Sequence, residues 1–141
     1  VTAEDNWEIV TQQTAEWNAE KAQQIVQSVI DSGKDFNVIY AENDDMAKGA
    51  VAALDAAGIS HGVGKDVIVM GFDCNKWALE ELLAQNWNYD GQCNPFQASY
   101  IDEIIKTIES GSAPAEKVVI MDEKGFDATT ITQEDVDKYG I

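Results

Sequence analysis

Apolar residues recur along this chain in two alternating rhythms, short continuous runs and stripes at helical spacing. Residues 8–13, EIVTQQ, predict a short strand, and after Thr14 the positions Ala22, Ile25, Val26, Val29 and Ile30 keep a helical period until Gly33. Val38 to Ala41 predicts a second strand, of the buried kind, and Met46, Ala47, Ala50, Val51, Leu54 and Ala57 make a second helical stripe closed by Gly58. Val67 to Phe72 is a third strand, followed by a helix carrying Trp77, Leu79, Leu82 and Leu83 and running to about Asn86. A weaker strand, Tyr89 to Cys93, leads to Pro95 in the first turn of a fourth helix. That helix shows Ile101, Ile104, Ile105 and Ile108 on one face and ends at Gly111, and Lys117 to Met121 predicts a fifth strand.

The strand starts near 8, 38, 67, 89 and 117 lie about 22–30 residues apart, the length of a strand, a crossover helix and two loops. This spacing predicts an open, doubly wound α/β fold with a mainly parallel sheet and helices on both faces. Beyond Met121, DEKGFDATTI reads as an irregular or edge-strand tail, and Thr132 with Asp135 predicts the cap of a last helical turn. With 141 residues, 45% hydrophobic and 25% charged, the chain supports one α/β unit over residues 1–141 with one core. Nine Lys and no Arg stand against 26 acidic residues, a net charge of −17. Such a surface repels phosphate and argues against nucleic acid or an anionic membrane as partner. No apolar window reaches the ~18 residues of a membrane span, and Val1 to Trp7 lack the marks of a signal peptide. The missing initiator Met leads us to expect a mature form or a piece of a longer chain.

In open α/β sheets ligands bind beyond the carboxyl ends of the strands. The residues leaving the four upstream strands are polar: Gln12, Gln13, Thr14 and Trp17; Glu42, Asn43, Asp44 and Asp45; Asp73, Cys74 and Asn75; Gln92, Cys93 and Asn94. Amides and carboxylates that bond adjacent hydroxyls, with an aromatic face for the apolar side of a ring, are the materials of sugar recognition. Structural readings stand beside this one. Asn43 and Asp45 also suit a helix N-cap, Asp73 the cap of the third helix, and Trp17 a core anchor. Trp7, Trp77 and Trp87 read as packing residues and His61 as an exposed loop residue. Catalytic signatures are lacking. No dinucleotide, P-loop, nucleophile-elbow or zincin motif occurs, and Asp127 stands where a calcium loop from Asp122 to Glu134 requires Gly. Cys74 and Cys93 share no ligand spacing with the single His61 and have no base in reach. No catalytic residue, metal or cofactor is assigned, and the chain reads as a binding protein, not an enzyme.

Two segments carry a family resemblance. AENDDMAKGAVAALDAAGI followed by KDVIVMGFD resembles the C-terminal region of type I periplasmic sugar-binding proteins, the ribose, galactose and galactofuranose-binding group of ABC transporters. QTAEWNAEKAQQIVQSVIDS matches the preceding strand-to-helix unit of that family, and QCNPFQASYIDEIIKTI its next strand end and helix. By position, the resemblance implies that Trp17 lies against the sugar ring, Asn43 contacts hydroxyls and Asp73 accepts from them. Cys93 falls where many members have Gln, with Gln92 one residue away, and both are taken as candidate ligand residues. Ala19 replaces the family's Arg after the aromatic. Cys74 replaces a common Gly, which leaves two readings open: it narrows sugar specificity, or it bridges to Cys93.

The resemblance further implies a two-lobed protein that closes over a pentose or hexose and presents it to an ABC transporter permease. The chain is then mostly the C-terminal lobe, with about 95–121 belonging to the N-terminal lobe or hinge. The other lobe and the first strand-helix unit of this lobe should precede Val1. The intact protein is expected in the periplasm, or lipid-anchored outside a Gram-positive cell. Deprived of its partner lobe, the isoleucine face of the fourth helix is expected to drive self-association. A lactose-repressor-type regulator, or a sugar receptor for chemotaxis or kinase signalling, shares the fold and is the competing reading.

Overall fold

Each helix begins and ends on a local device. In the computed structural model, which describes residues 6–141, α1 (Ala19–Asp31) starts where the Asn18 side chain accepts the Lys21 backbone N–H at 2.9 Å. α2 (Asp44–Ala57) is capped by Asn43 and closed by Gly58 in the left-handed region, at φ 69°. α3 (Lys76–Leu83) stops short of Asn86, and α4 (Ala98–Glu109) begins three residues after Pro95. In α5 (Gln133–Tyr139) Thr132 and Asp135 form the expected reciprocal capping box.

The sheet orders β1 (Val38–Tyr40), β2 (Ile68–Asp73), β3 (Tyr89–Gln92) and β4 (Gly125–Asp127) side by side. The first three are parallel, and β4 runs antiparallel at the edge, so the tail after Met121 is an edge strand. The fold is thus an open, mainly parallel α/β sheet of the expected class. Because β1, β2 and β3 advance in one direction, right-handed crossovers place α2 and α3 on the same face. Lys48 Nζ of α2 accordingly lies 4.7 Å from the ring centre of Trp77 in α3. Val69, Leu54, Leu79, Leu82 and Trp87 fill the space between these helices and the sheet, all almost without exposed surface. On the other face Tyr40, Phe72 and Tyr89 form a row, with ring centres 5.2 and 6.4 Å apart. α1 packs along α2 at Gly49, where any Cβ would fall 1.9 Å from the Ala19 carbonyl oxygen. Only glycine allows the two helices to approach this closely.

Two expected strands are absent among the described residues. EIVTQQ at 8–13 runs without a ladder, Ile9 being 58% exposed. Its short apolar run buries too little surface to offset the entropy of ordering it. Lys117 to Met121 is also irregular, with Ile120 87% exposed. The place it would take beside β3 is held by β4, whose Asp127 lies opposite Tyr89. Phe126 of β4 is buried and packs 5.3 Å from the Tyr139 ring, an anchor that Lys117 to Met121 lacks.

Candidate functional site

The carboxyl ends of β1 and β2 converge on the N-terminus of α2. Asn43 leaves β1 in extended conformation, and its Oδ1 accepts the Met46 backbone N–H at 2.8 Å. Asn43 therefore is a helix cap, and this occupies its carbonyl while its amide N–H group makes no bond within the described residues. Asp45 is not the cap; it lies inside the first turn. Asp44 beside it has no exposed surface, and its Oδ2 accepts from the backbone N–H of Asn75 at 2.8 Å and from Asn75 Nδ2 at 3.1 Å. Its Oδ1 lies over Gly71 of β2, where an added Cβ would come within 2.6 Å of it and 2.8 Å of the Trp87 ring. Glycine at 71 is what lets a carboxylate sit directly on the strand.

β2 ends in strained backbone. Asp73 has φ 118° and Cys74 φ 62°, both non-glycine residues in the left-handed half of the map. Each costs of the order of 1–3 kcal/mol, and such strain concentrates at functional sites. Asp73 does not cap α3: the residue there is Asn75, which makes no side-chain capping bond. Burial, with the Asp45 charge adding to it, raises the Asp73 carboxyl above its ordinary range, while a backbone hydrogen bond from Asp44 opposes the shift. Across the ladder Asp90 of β3, also fully buried, accepts from the Cys74 thiol at 3.8 Å. Burial first, then the Asp44 carboxylate, pushes Asp90 up to about 9. Burial likewise raises the Cys74 thiol, with Asp90 and Asp44 adding to the shift.

Trp17 stands just before α1. It is 66% exposed, so it is not a core anchor, and with Glu16 it makes a second pair of non-glycine residues at positive φ, 59° and 52°. Two residues later Ala19 begins α1, and its carbonyl packs against Gly49 of α2. Gln92 pairs with Asp73 in the β2–β3 register, but its Oε1 accepts from the Lys124 backbone N–H at 3.3 Å. Gln92 also lines a cleft of about 420 Å³ with Asn94, Phe96, Lys124 and Tyr139. Cys93 is exposed and, like Cys74, a free thiol, so the two are not bridged. A second cavity, about 280 Å³, lies between His61, Asp55, Glu81 and Trp87. His61 is held there, Nδ1 2.8 Å from the Asn86 carbonyl and Nε2 3.1 Å from Asp55, and is not the free loop residue expected. Trp77 and Trp87 pack edge to face at 5.9 Å as expected, whereas Trp7 is 56% exposed. Trp17, Asn43 and Asp73 line neither of these two cavities.

Sequence reasoning missed the buried participants. Asp44 and Asn75 were picked out only as polar strand-exit residues and not as bonded to each other in the interior, and Asp90, which takes the Cys74 thiol, lay unread in the weak strand YDGQ. Its signal was a carboxylate alternating onto the helix-covered face of a strand, opposite a glycine. Among the described residues no cluster of three ligating side chains suited to a metal is present, and no helix is long and apolar enough to cross a membrane.

Comparison with known proteins agrees with this architecture. Residues 1–129 match the periplasmic binding protein domain family, and the chain belongs to that family of binding proteins, not enzymes. It is 31% identical over 127 residues to the fructose import binding protein of Bifidobacterium longum, covering 89% of this chain and 37% of that protein. It is 32% identical over 80 residues to the ribose import binding protein of Bacillus subtilis, 57% of this chain and 24% of the relative. Among solved structures, a Mycobacterium smegmatis protein in complex with β-D-fucofuranose superposes with a TM-score of 0.78 at 28% identity, over 89% of this chain and 40% of that one. The arabinose-transporter binding protein of a Shewanella species, bound to L-arabinofuranose, reaches a TM-score of 0.85 over 96% of this chain and 44% of its own. At 22% identity, that likeness speaks for the fold alone. The chain thus spans less than half the length of each of these proteins.

Proposed function

We propose that this chain supplies one wall of a monosaccharide site in a binding protein that delivers the sugar to an ABC transporter permease. The observation that carries the reading is the joining of Asn43 and Asp73 at the start of α2, with the backbone strained at Asp73, and it is supported by an exposed Trp17 at positive φ before the neighbouring helix α1. An exposed indole offers a platform to the C–H face of a sugar, and a free amide and a carboxylate answer its hydroxyls. Cys93 and Gln92 stand at the next strand end and complete the candidate ligand residues. The ribose and fructose import binding proteins similar to this chain support a pentose or hexose as ligand, and with that reading goes a periplasmic location, or a lipid-anchored one outside a Gram-positive cell.

The wall is half of the site. α4 buries none of its residues, and Ile101, Ile105 and Ile108 are 51%, 47% and 57% exposed. This supports assigning about 95–121 to the opposite lobe or hinge of a two-lobed protein, and it gives the chain by itself a surface for self-association. Titration calorimetry of the two-lobed protein with D-ribose, D-fructose and L-arabinose tests the reading. Saturable heat with at least one of them is expected, and none with any neutral monosaccharide would overturn it.

A further inference from the structure

Resting on the sugar-site reading, we propose that Asp44 and Asp90 share a single proton and that this closed pair is the positioning device for the Asp73–Cys74 turn. Both side chains have no exposed surface, Asp44 Oδ1 sits over Gly71, the residue opposite Asp90 in the ladder, and among the described residues Asp44 Oδ1 and Asp90 Oδ2 have no hydrogen-bond partner. Two bare carboxylates in such a place repel each other in a medium that screens them poorly, whereas one proton turns the repulsion into a short O–H···O⁻ bond. The remaining oxygens are spent on successive residues of the turn. Asp90 accepts from Cys74, and Asp44 Oδ2 accepts from the backbone and side chain of Asn75. The pair therefore latches the two residues that follow Asp73, across the point where the backbone leaves its left-handed conformation.

No ammonium group among the described residues faces the pair. On α2, Asp45 lies toward Asp73, and Lys48 rests on the Trp77 ring. On α3, Lys76 turns to Asp137 of α5 at 3.3 Å. Lys124 before β4 and Lys138 of α5 gather on the Tyr139 ring. At the β2 exit, Asp73 and Cys74 add only negative or neutral character. A proton is the neutralising charge that remains, and its loss at high pH opens the latch.

The test needs no sugar, so it fails or succeeds apart from the sugar-site reading. Carboxyl carbon NMR of the chain follows the two groups through a pH titration, and amide hydrogen exchange follows Asn75. We expect one carboxyl of the pair to stay protonated well above pH 7, and the protection factor of the Asn75 amide to fall at least tenfold between pH 7 and pH 10. In Asp90→Asn the amide replaces the shared proton as donor to Asp44, and protection should be retained across the same range. Both carboxyls titrating near pH 4, or an Asn75 protection factor independent of pH in the unsubstituted chain, would overturn the proposal. Loss of protection at pH 10 in Asp90→Asn equal to that in the parent would overturn it as well.

Discussion

Replacing Asn43 by serine separates its two roles. The side chain caps α2 through Oδ1, which takes the Met46 N–H at 2.8 Å, and it is 9% exposed, so the bond is shielded from water. Serine caps nearly as well as asparagine, within a few tenths of a kcal/mol, whereas alanine forfeits about 0.5–2 kcal/mol. For a domain of this size, 1 kcal/mol moves the thermal midpoint by roughly 2–6 °C. Asn43→Ser should therefore melt close to the parent and Asn43→Ala a few degrees below it. Sugar binding should follow another order. The amide N–H group is absent from both variants, and a lost hydrogen bond in a closed site costs about 1–3 kcal/mol. That is roughly a five- to hundredfold fall in affinity. Paired thermal melts and calorimetry in the two-lobed protein read both quantities. Unchanged affinity in Asn43→Ser would reduce Asn43 to a helix cap.

Asp73→Asn keeps the side-chain shape and tolerates positive φ, so stability should hold while sugar affinity falls about ten- to hundredfold, the worth of a bond to a charged acceptor; calorimetry showing parental affinity would refute it. Trp17→Leu, at a 66% exposed position, should leave the melting curve within about 0.5 kcal/mol of the parent yet abolish the sugar-induced change in tryptophan fluorescence, and a signal of full size would move the stacking role elsewhere. Asp44 and Asp90 are raised by burial to about 6 and about 9, so the folded chain binds more protons than the unfolded chain from about pH 4 upward. Their contribution to stability is complete below that range and is lost as pH rises towards 9; urea midpoints should fall more steeply with pH in the parent than in Asp90→Asn, and parallel profiles would contradict this. The isolated chain should self-associate through α4, with Ile105→Lys and Ile108→Lys restoring the monomer in light scattering; a parent that is already monomeric would remove that role from the helix.

The positions of the helices were legible because a helix is a local object. Its stripe of apolar residues, its cap and its stop lie within one stretch of chain, as Asn43 to Gly58 and the Thr132–Asp135 box show. The candidate residues Asn43 and Asp73 were legible for a related reason: in a parallel sheet the ligand edge is the carboxyl edge, and both follow strands that form, whereas Trp17 was read from a strand that does not and rests on the family resemblance. Strands themselves are not local. EIVTQQ and Lys117 to Met121 have strand composition, but a strand exists only when a neighbour takes its hydrogen bonds, and β4 holds the place beside β3. The same dependence hid the carboxyl pair. Asp44 and Asp90 lie far apart in sequence, and only the register that sets Asp90 opposite Gly71 lets one carboxylate rest on the strand beside the other. Local pattern determined the elements and their polar ends, and packing decided which ends were latched, because burial beside a second carboxylate is what turns two ordinary aspartates into a pair that shares a proton.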